Sequence, residues 1–209
     1  MDWSVLWQYR AELAEGLGIT LAISAAAILG ATVLGVGIGC LAASPSYLLQ
    51  RLTGSYTALL RNLPLLVKLF FLYFVVNLGP FTAAFAALVL HQSAPIADVT
   101  ASGIRSVAAG QFDAGLALGL TRLRIFWLVI LPQTFRVILP PMTTQYVAIV
   151  KNSAVVALIG VTDLTFQTQE INVQTFRGFE AATAATLLYA LATALVIWTM
   201  ARLQRGRVR

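Results

Sequence analysis

An all-α integral membrane fold, with five transmembrane helices and a short cytoplasmic helix between the third and fourth, is the architecture this sequence predicts. Three observations predict it. Hydrophobic residues make up 59% of the 209 residues and charged residues only 11%, a balance that would leave a soluble domain of this size without a polar surface. From Gly16 to Leu49 there is no charge, a run long enough to cross a bilayer with some tilt. The basic residues gather at the edges of apolar runs, as a membrane orientation signal does. The net charge of +6 is therefore read as that signal, with lipid as the neighbour and no nucleic acid. The length suits a single transmembrane domain over 1–209.

Residues 1–15 read as a short interfacial lead-in, because Trp3, Trp7 and Tyr9 are residue types of the membrane–water boundary. Asp2, Glu12 and Glu15 replace the basic region that a removable signal peptide would open with. In the first span, Ala27, Ala31, Gly35 and Gly39 recur every four residues on one helical face. Small faces of this kind let helices pack closely in lipid, and plain helix packing is their expected role. Ser44-Pro45-Ser46 breaks that helix, and Arg51 marks a polar edge. A second span is expected from about Tyr56 to Val76, interrupted by Arg61 and Lys68. Asn77-Leu78-Gly79-Pro80 is a turn. The third span runs from about Phe81 to Ile104 and carries His91, Pro95 and Asp98.

After the loop that follows, the fourth span is expected from near Pro132. Pro140-Pro141 falls inside it and should kink or break it by removing helical donors. Asp163 to Glu180 is polar, residues 181–201 form the fifth span, and Arg202, Arg205, Arg207 and Arg209 follow. Arg51, Arg105, Arg122, Arg124, Arg136 and these four arginines share one side of a five-span layout; Arg10 and Arg177 take the other. The bias places the N-terminus outside and the 113 loop and C-terminus in the cytoplasm.

That loop, Asp113–Pro132, is DAGLALGLTRLRIFWLVILP. Small residues at 114, 115 and 117 make a short helix with little bulk, so another protein's groove can approach its backbone. Gly119 suits a left-handed helix end, Asp113 the positive end of the helix dipole, and Pro132 the first turn of the next helix. Residue for residue the stretch resembles the cytoplasmic loop signature of ABC importer permeases: E-A-A, three residues, Gly, nine residues, Ile-x-Leu-Pro. Asp113-Ala114-Gly115, Gly119 and Val129-Ile130-Leu131-Pro132 stand in those places. The departures are Asp for Glu, Gly for Ala and Val for Ile. RNLPLLVKLFFLYF from Arg61 and KNSAVVALIGVTDLT from Lys151 resemble segments of the polar amino-acid branch, as does Ala94–Arg105, with Asp98 in the place of a Glu.

The resemblance implies a type-I permease subunit of an ATP-driven importer. Its partners would be an ABC ATPase dimer, a second permease subunit, identical or related, and an extracytoplasmic solute-binding protein delivering a polar amino acid. Asp113, Ala114, Gly115, Ala117, Gly119 and Arg122 would couple to the ATPase in the bacterial inner membrane.

The residues exclude most enzyme chemistry. One His and one Cys cannot make a His/Cys metal cluster within the chain. Neither of the two lysines, Lys68 and Lys151, follows a glycine, so no phosphate-binding G-x-x-x-x-G-K is present, and ATP is expected on a separate partner chain. Charges at membrane depth cost about 2.5–3.5 kcal/mol each on insertion scales and usually face protein or a wet cavity. At ~1.5 Å per helical residue, Lys68 lies roughly 25 Å along from Arg51, Lys151 about 22 Å from Arg136 and Asp98 about 10 Å from Arg105. Arg61, Asn62, Lys68, Asp98, Lys151 and Asn152 are the candidate substrate path. The competing reading pairs Asp98 with a basic neighbour structurally and lets Lys68 snorkel outward. His91 is expected to be a packed, hydrogen-bonding residue.

The substrate expectation is an acidic amino acid or its amide. KNSAVVALIG and the residues after it look most like permeases for those solutes, and the path holds more cations than anions. A secondary transporter or channel subunit, a non-transporting scaffold, and a permease for another polar solute such as basic amino acids are the alternatives.

Overall fold

The computed structural model describes residues 3–205, so Arg207 and Arg209 lie outside the described residues. Its order is α1 (Ser4–Gln8), α2 (Arg10–Ala42), α3 (Tyr47–Asn62), α4 (Leu65–Phe70), α5 (Pro80–Arg105), α6 (Ala109–Ala117), α7 (Arg122–Ile125), α8 (Leu131–Asn152), α9 (Leu164–Thr175) and α10 (Gly178–Arg205). Among the described residues there is no strand. Among the described residues three helical stretches are long and apolar enough to cross a membrane, Arg10–Ala42, Arg122–Ile159 and Gly178–Arg205, and the bent pair Tyr47–Asn62 with Leu65–Val75 makes a fourth if it is one span. The fold is thus an all-α, multi-pass membrane fold.

The small-residue face of α2 is buried and packs on α5. Ala27 and Ala31 are fully buried. A Cβ on Gly35 would sit 2.5 Å from Ile96 Cγ2, and one on Gly39 2.6 Å from the Ala97 carbonyl oxygen. Only glycine admits so close an approach. Half of the 26 residues of α5 are buried, because α2, α3, α4 and α8 all pack against it. It is the central helix.

Four expectations change. The lead-in does not end at residue 15, since α2 already starts at Arg10. The apolar run of 56–76 is not one straight helix. α3 and α4 meet at a 98° bend, because Pro64 drives Leu63 into extended backbone (φ −90°, ψ 126°). The fourth long helix does not begin afresh at Pro132. It runs from Arg122 through a π-helical turn at Phe126–Ile130 into α8, and Pro132 sits in the first turn of α8. Pro140 and Pro141 do not break α8. Its α-helical path ends instead at Asn152, where a 3₁₀ turn over Ser153–Ile159 leads to Gly160 at φ +81°. The polar 163–180 stretch holds a helix of its own, α9, capped by the Asp163 carboxylate on the Phe166 N–H at 2.9 Å.

Candidate functional site

Six charged and amide side chains expected at membrane depth fall into three groups. The first is an ion pair. Arg61, in the last turn of α3, donates to Asp98 of α5 at 2.6 Å. Both side chains stay open, 61% and 43% exposed. The structural pairing weighed for Asp98 therefore forms, and it forms on an accessible surface. Asn62, next to it, is exposed.

Lys68 makes the second group, and it points inward. It is 6% exposed. Its Nζ donates to the Leu60 carbonyl oxygen at 2.7 Å and lies 2.8 Å from His91 Nδ1. Leu60 belongs to the last turn of α3, whose carbonyls have no helical partner. Lys68 thus reaches back across the bend and caps α3. A protonated Lys68 has only donors, and with it His91 accepts through Nδ1. Outward snorkelling of Lys68 does not occur, and its distance from Arg51 along a straight helix loses its meaning at the bend.

Lys151 and Asn152 form the third group, at the end of α8 where the 3₁₀ turn begins. Lys151 is exposed, and among the described residues no anion pairs with it.

Uncharged polar contacts that sequence reasoning missed tie these groups into the bundle. Gln92 of α5 donates to Gln145 of α8 at 2.6 Å. Tyr56 of α3 and Ser93 of α5 share a hydrogen bond of 2.7 Å, and Thr32 of α2 donates to Tyr146 of α8 at 3.0 Å. Single Gln, Ser and Tyr residues in apolar runs have no spacing that announces a partner. Asp163 was noted only as a polar residue. It is fully buried and accepts from the Tyr189 hydroxyl as well as from Phe166. Burial pushes its carboxyl up from the ordinary carboxylate value, against the pull of those hydrogen bonds.

At the other end of the bundle, α6 closes with a double hydrogen bond. The Leu120 N–H donates to the Gly115 carbonyl at 3.0 Å and the Gly119 N–H to the Leu116 carbonyl at 2.9 Å. Gly119 takes φ +75°, the left-handed conformation this cap requires. Thr121 caps α7. Of the small residues, Gly115 turns inward: a Cβ there would meet Ile125 Cγ1 at 2.7 Å. Its smallness lets α6 lie on α7 of its own chain. Asp113, Ala114, Ala117, Leu118, Gly119 and Arg122 are exposed.

Comparison with known proteins bears directly on this arrangement. Residues 35–209 match the family described as binding-protein-dependent transport system inner membrane component. The glutamine transport system permease protein GlnP of Escherichia coli K12 is 32% identical over 211 residues, covering 98% of this chain and 96% of the relative. The glutamate/aspartate import permease protein GltJ of the same organism is 31% identical, covering 94% and 87%. A crystal structure of an amino acid ABC transporter with histidines superposes with a TM-score of 0.89 at 29% identity, covering 99% of each chain. An inward-facing structure of the MetNI methionine ABC transporter shares the fold, with a TM-score of 0.84 at 20% identity and full coverage of both chains.

Proposed function

The chain belongs to the family of binding-protein-dependent transport system inner membrane components, and from that premise we propose that it passes acidic amino acids or their amides through a path beside Arg61, Asp98 and Lys151. The coarser function follows from membership: a multi-pass inner-membrane permease subunit of an ABC amino-acid importer, working with an external binding protein. An ATPase and a paired permease are the family's usual further partners, and they are consistent with this membership. ATP hydrolysis is assigned to the ATPase chain.

In this reading residues 1–209 form one transmembrane unit of five spans, with α3 and α4 sharing the second. The N-terminus lies outside, and the 106–132 loop and the C-terminus lie in the cytoplasm. The ATPase dimer docks on the open side of α6, offered by Asp113, Ala114, Ala117 and Gly119, with Arg122 at its edge. Gly115 contributes by holding α6 close to Ile125. The substrate moves past the Arg61–Asp98 pair, Asn62, Lys151 and Asn152, and Lys68 holds the α3–α4 bend behind them.

The single observation that carries the substrate reading is the exposed, unpaired Lys151 at the end of α8. A carboxylate crossing a region of low dielectric needs a compensating cation. The glutamine and glutamate/aspartate functions in the names of two relatives lean the same way.

The test is uptake by the assembly reconstituted with its binding protein and ATPase. Lys151→Gln should lower glutamate transport far more than glutamine transport. Equal effects, or none, defeat the role given to Lys151 and leave the permease assignment standing.

A further inference from the structure

A half-open cavity of about 570 Å³ lies between the end of α2, the end of α5, α6 and the start of the Arg122–Ile159 helix. No acidic residue lines it, and two arginines do, Arg105 and Arg122. From this we infer that the cavity binds an anionic phospholipid, with its phosphate between the two guanidinium groups and an acyl chain against the apolar wall. The inference rests on the chain being membrane-embedded and is independent of the substrate reading; Arg122 also stands at the edge of the proposed ATPase surface, so Arg105 and Cys40 carry the separate test.

The lining is sorted by depth in the way an amphiphile needs. Its polar groups, Ser44, Gln50, Arg105 and Arg122, stand at helix ends and in the α2–α3 connection. Farther along the helices from these groups the wall is Cys40, Phe126 and Ile130. At ~1.5 Å per helical residue, Cys40 lies roughly one turn below Ser44 and Ile130 about 12 Å from Arg122. A free inorganic anion would satisfy the arginines and leave that wall wet. An uncharged lipid would cover the wall and leave the arginines uncompensated.

The donors suit a phosphate. Arg105 commits Nη2 to the Ala42 carbonyl oxygen at 2.7 Å, which fixes the guanidinium while its remaining donors face other partners. The Arg122 guanidinium carbon lies 5.8 Å over the Phe112 ring centroid, and both residues line the cavity. The volume lies within the range of cavities that hold small amphiphilic ligands.

The experiment is native mass spectrometry of the whole permease–ATPase assembly, titrated with dioleoylphosphatidylglycerol or dioleoylphosphatidylcholine. Preferential retention of the anionic lipid is expected. Near a membrane surface each arginine contributes about five-fold to anionic-lipid affinity. Arg105→Gln with Arg122→Gln should therefore weaken phosphatidylglycerol binding about 25-fold and leave phosphatidylcholine binding unchanged. Arg105→Lys with Arg122→Lys should retain most of it. Cys40→Phe keeps both arginines, fills the apolar end and should also expel the lipid, which decides the matter if the double glutamine variant does not assemble. Equal phosphatidylglycerol binding in the wild type, the double glutamine variant and Cys40→Phe overturns the inference. Full displacement by millimolar glycerol phosphate overturns it too, in favour of a free-phosphate site.

Discussion

Replacing Gly39 by Ala adds one methyl group where α2 crosses α5. The new Cβ would lie 2.5 Å from Thr100 Cβ and 2.6 Å from the Ala97 carbonyl oxygen. The second contact is with backbone, which no rotamer change relieves. Ordinary contact begins at 3.4 Å, so 3.4 − 2.6 requires α2 to move off the Ala97 carbonyl by about 0.8 Å. A shift of that size along the main seam of the bundle is overpacking, which costs about 1–3 kcal/mol. Gly37 is the internal control. It lies on the same helix, and a Cβ there meets nothing within 4 Å. Gly37→Ala should be neutral or stabilise by up to about 1 kcal/mol, since alanine is the better helix former. Thermal unfolding of the two variants in the same detergent should separate them. At roughly 2–4 °C per kcal/mol for a chain of this size, Gly39→Ala should melt about 2–12 °C below the wild type. Equal melting of both variants would refute the close α2–α5 seam and with it the central place of α5.

Gly119→Ala meets no clash, so its cost should be the left-handed backbone alone, about 1–2 kcal/mol, and Gly119→Asn should recover part of it; equal stability of all three proteins would count against the helix cap. Asp163→Ala removes the α9 cap and an acceptor for Tyr189, which should cost about 2–4 kcal/mol from the two losses together, whereas Asp163→Asn should lose much less in the same melting assay. Because burial raises the folded carboxyl above its unfolded value, the folded form holds the proton more tightly; this stability contribution is full below the unfolded value and lost as pH rises through the folded one. Asp163→Asn should flatten that part of the pH–stability curve, and an unchanged curve would show that Asp163 is not the titrating group. In a Cys40→Ser background, an impermeant thiol reagent outside the cell should label Gln174→Cys and not Gln111→Cys; the opposite pattern would invert the proposed topology.

How legible these features were in the sequence depends on the kind of signal each carries. The seam on α2 was readable because a four-residue repeat of small residues has one physical use in lipid, and the buried Ala27, Ala31, Gly35 and Gly39 bear it out. The cap at Gly119 was readable because a glycine past the end of a short helix solves a local backbone problem. The inward turn of Gly115 was not. Smallness alone does not say whether the close neighbour is another protein or, as here, Ile125 of the same chain. Pro64 acts in the opposite sense to Pro140 and Pro141. A proline following Asn62-Leu63 had room to open a 98° bend, while the pair inside α8 is carried by a helix whose neighbours hold it in place. There Thr143 of α8 accepts from Gln204 of α10 at 3.2 Å, a contact that ties α8 to its neighbour three residues beyond Pro140.

Lys68 shows how a charge at membrane depth can be met by the backbone of its own chain. The insertion cost that made it a candidate is a statement about an unpartnered ammonium. Breaking α3 at Pro64 leaves carbonyls at its end without helical donors, and a bilayer supplies none. The two deficits cancel when the ammonium meets the Leu60 carbonyl at 2.7 Å and His91 at 2.8 Å. Neither could be seen from the other in sequence, because the pairing exists only once the chain folds back at the bend. The same reasoning separates Arg61 and Lys151 from Lys68. Arg61 meets its anion on an open surface, and Lys151 stays exposed without one. Lys68 turns two of its three donors to groups of its own chain, whereas Lys151 stands at a helix end with no anion paired to it among the described residues, and it is at Lys151 that we propose the substrate carboxylate is met.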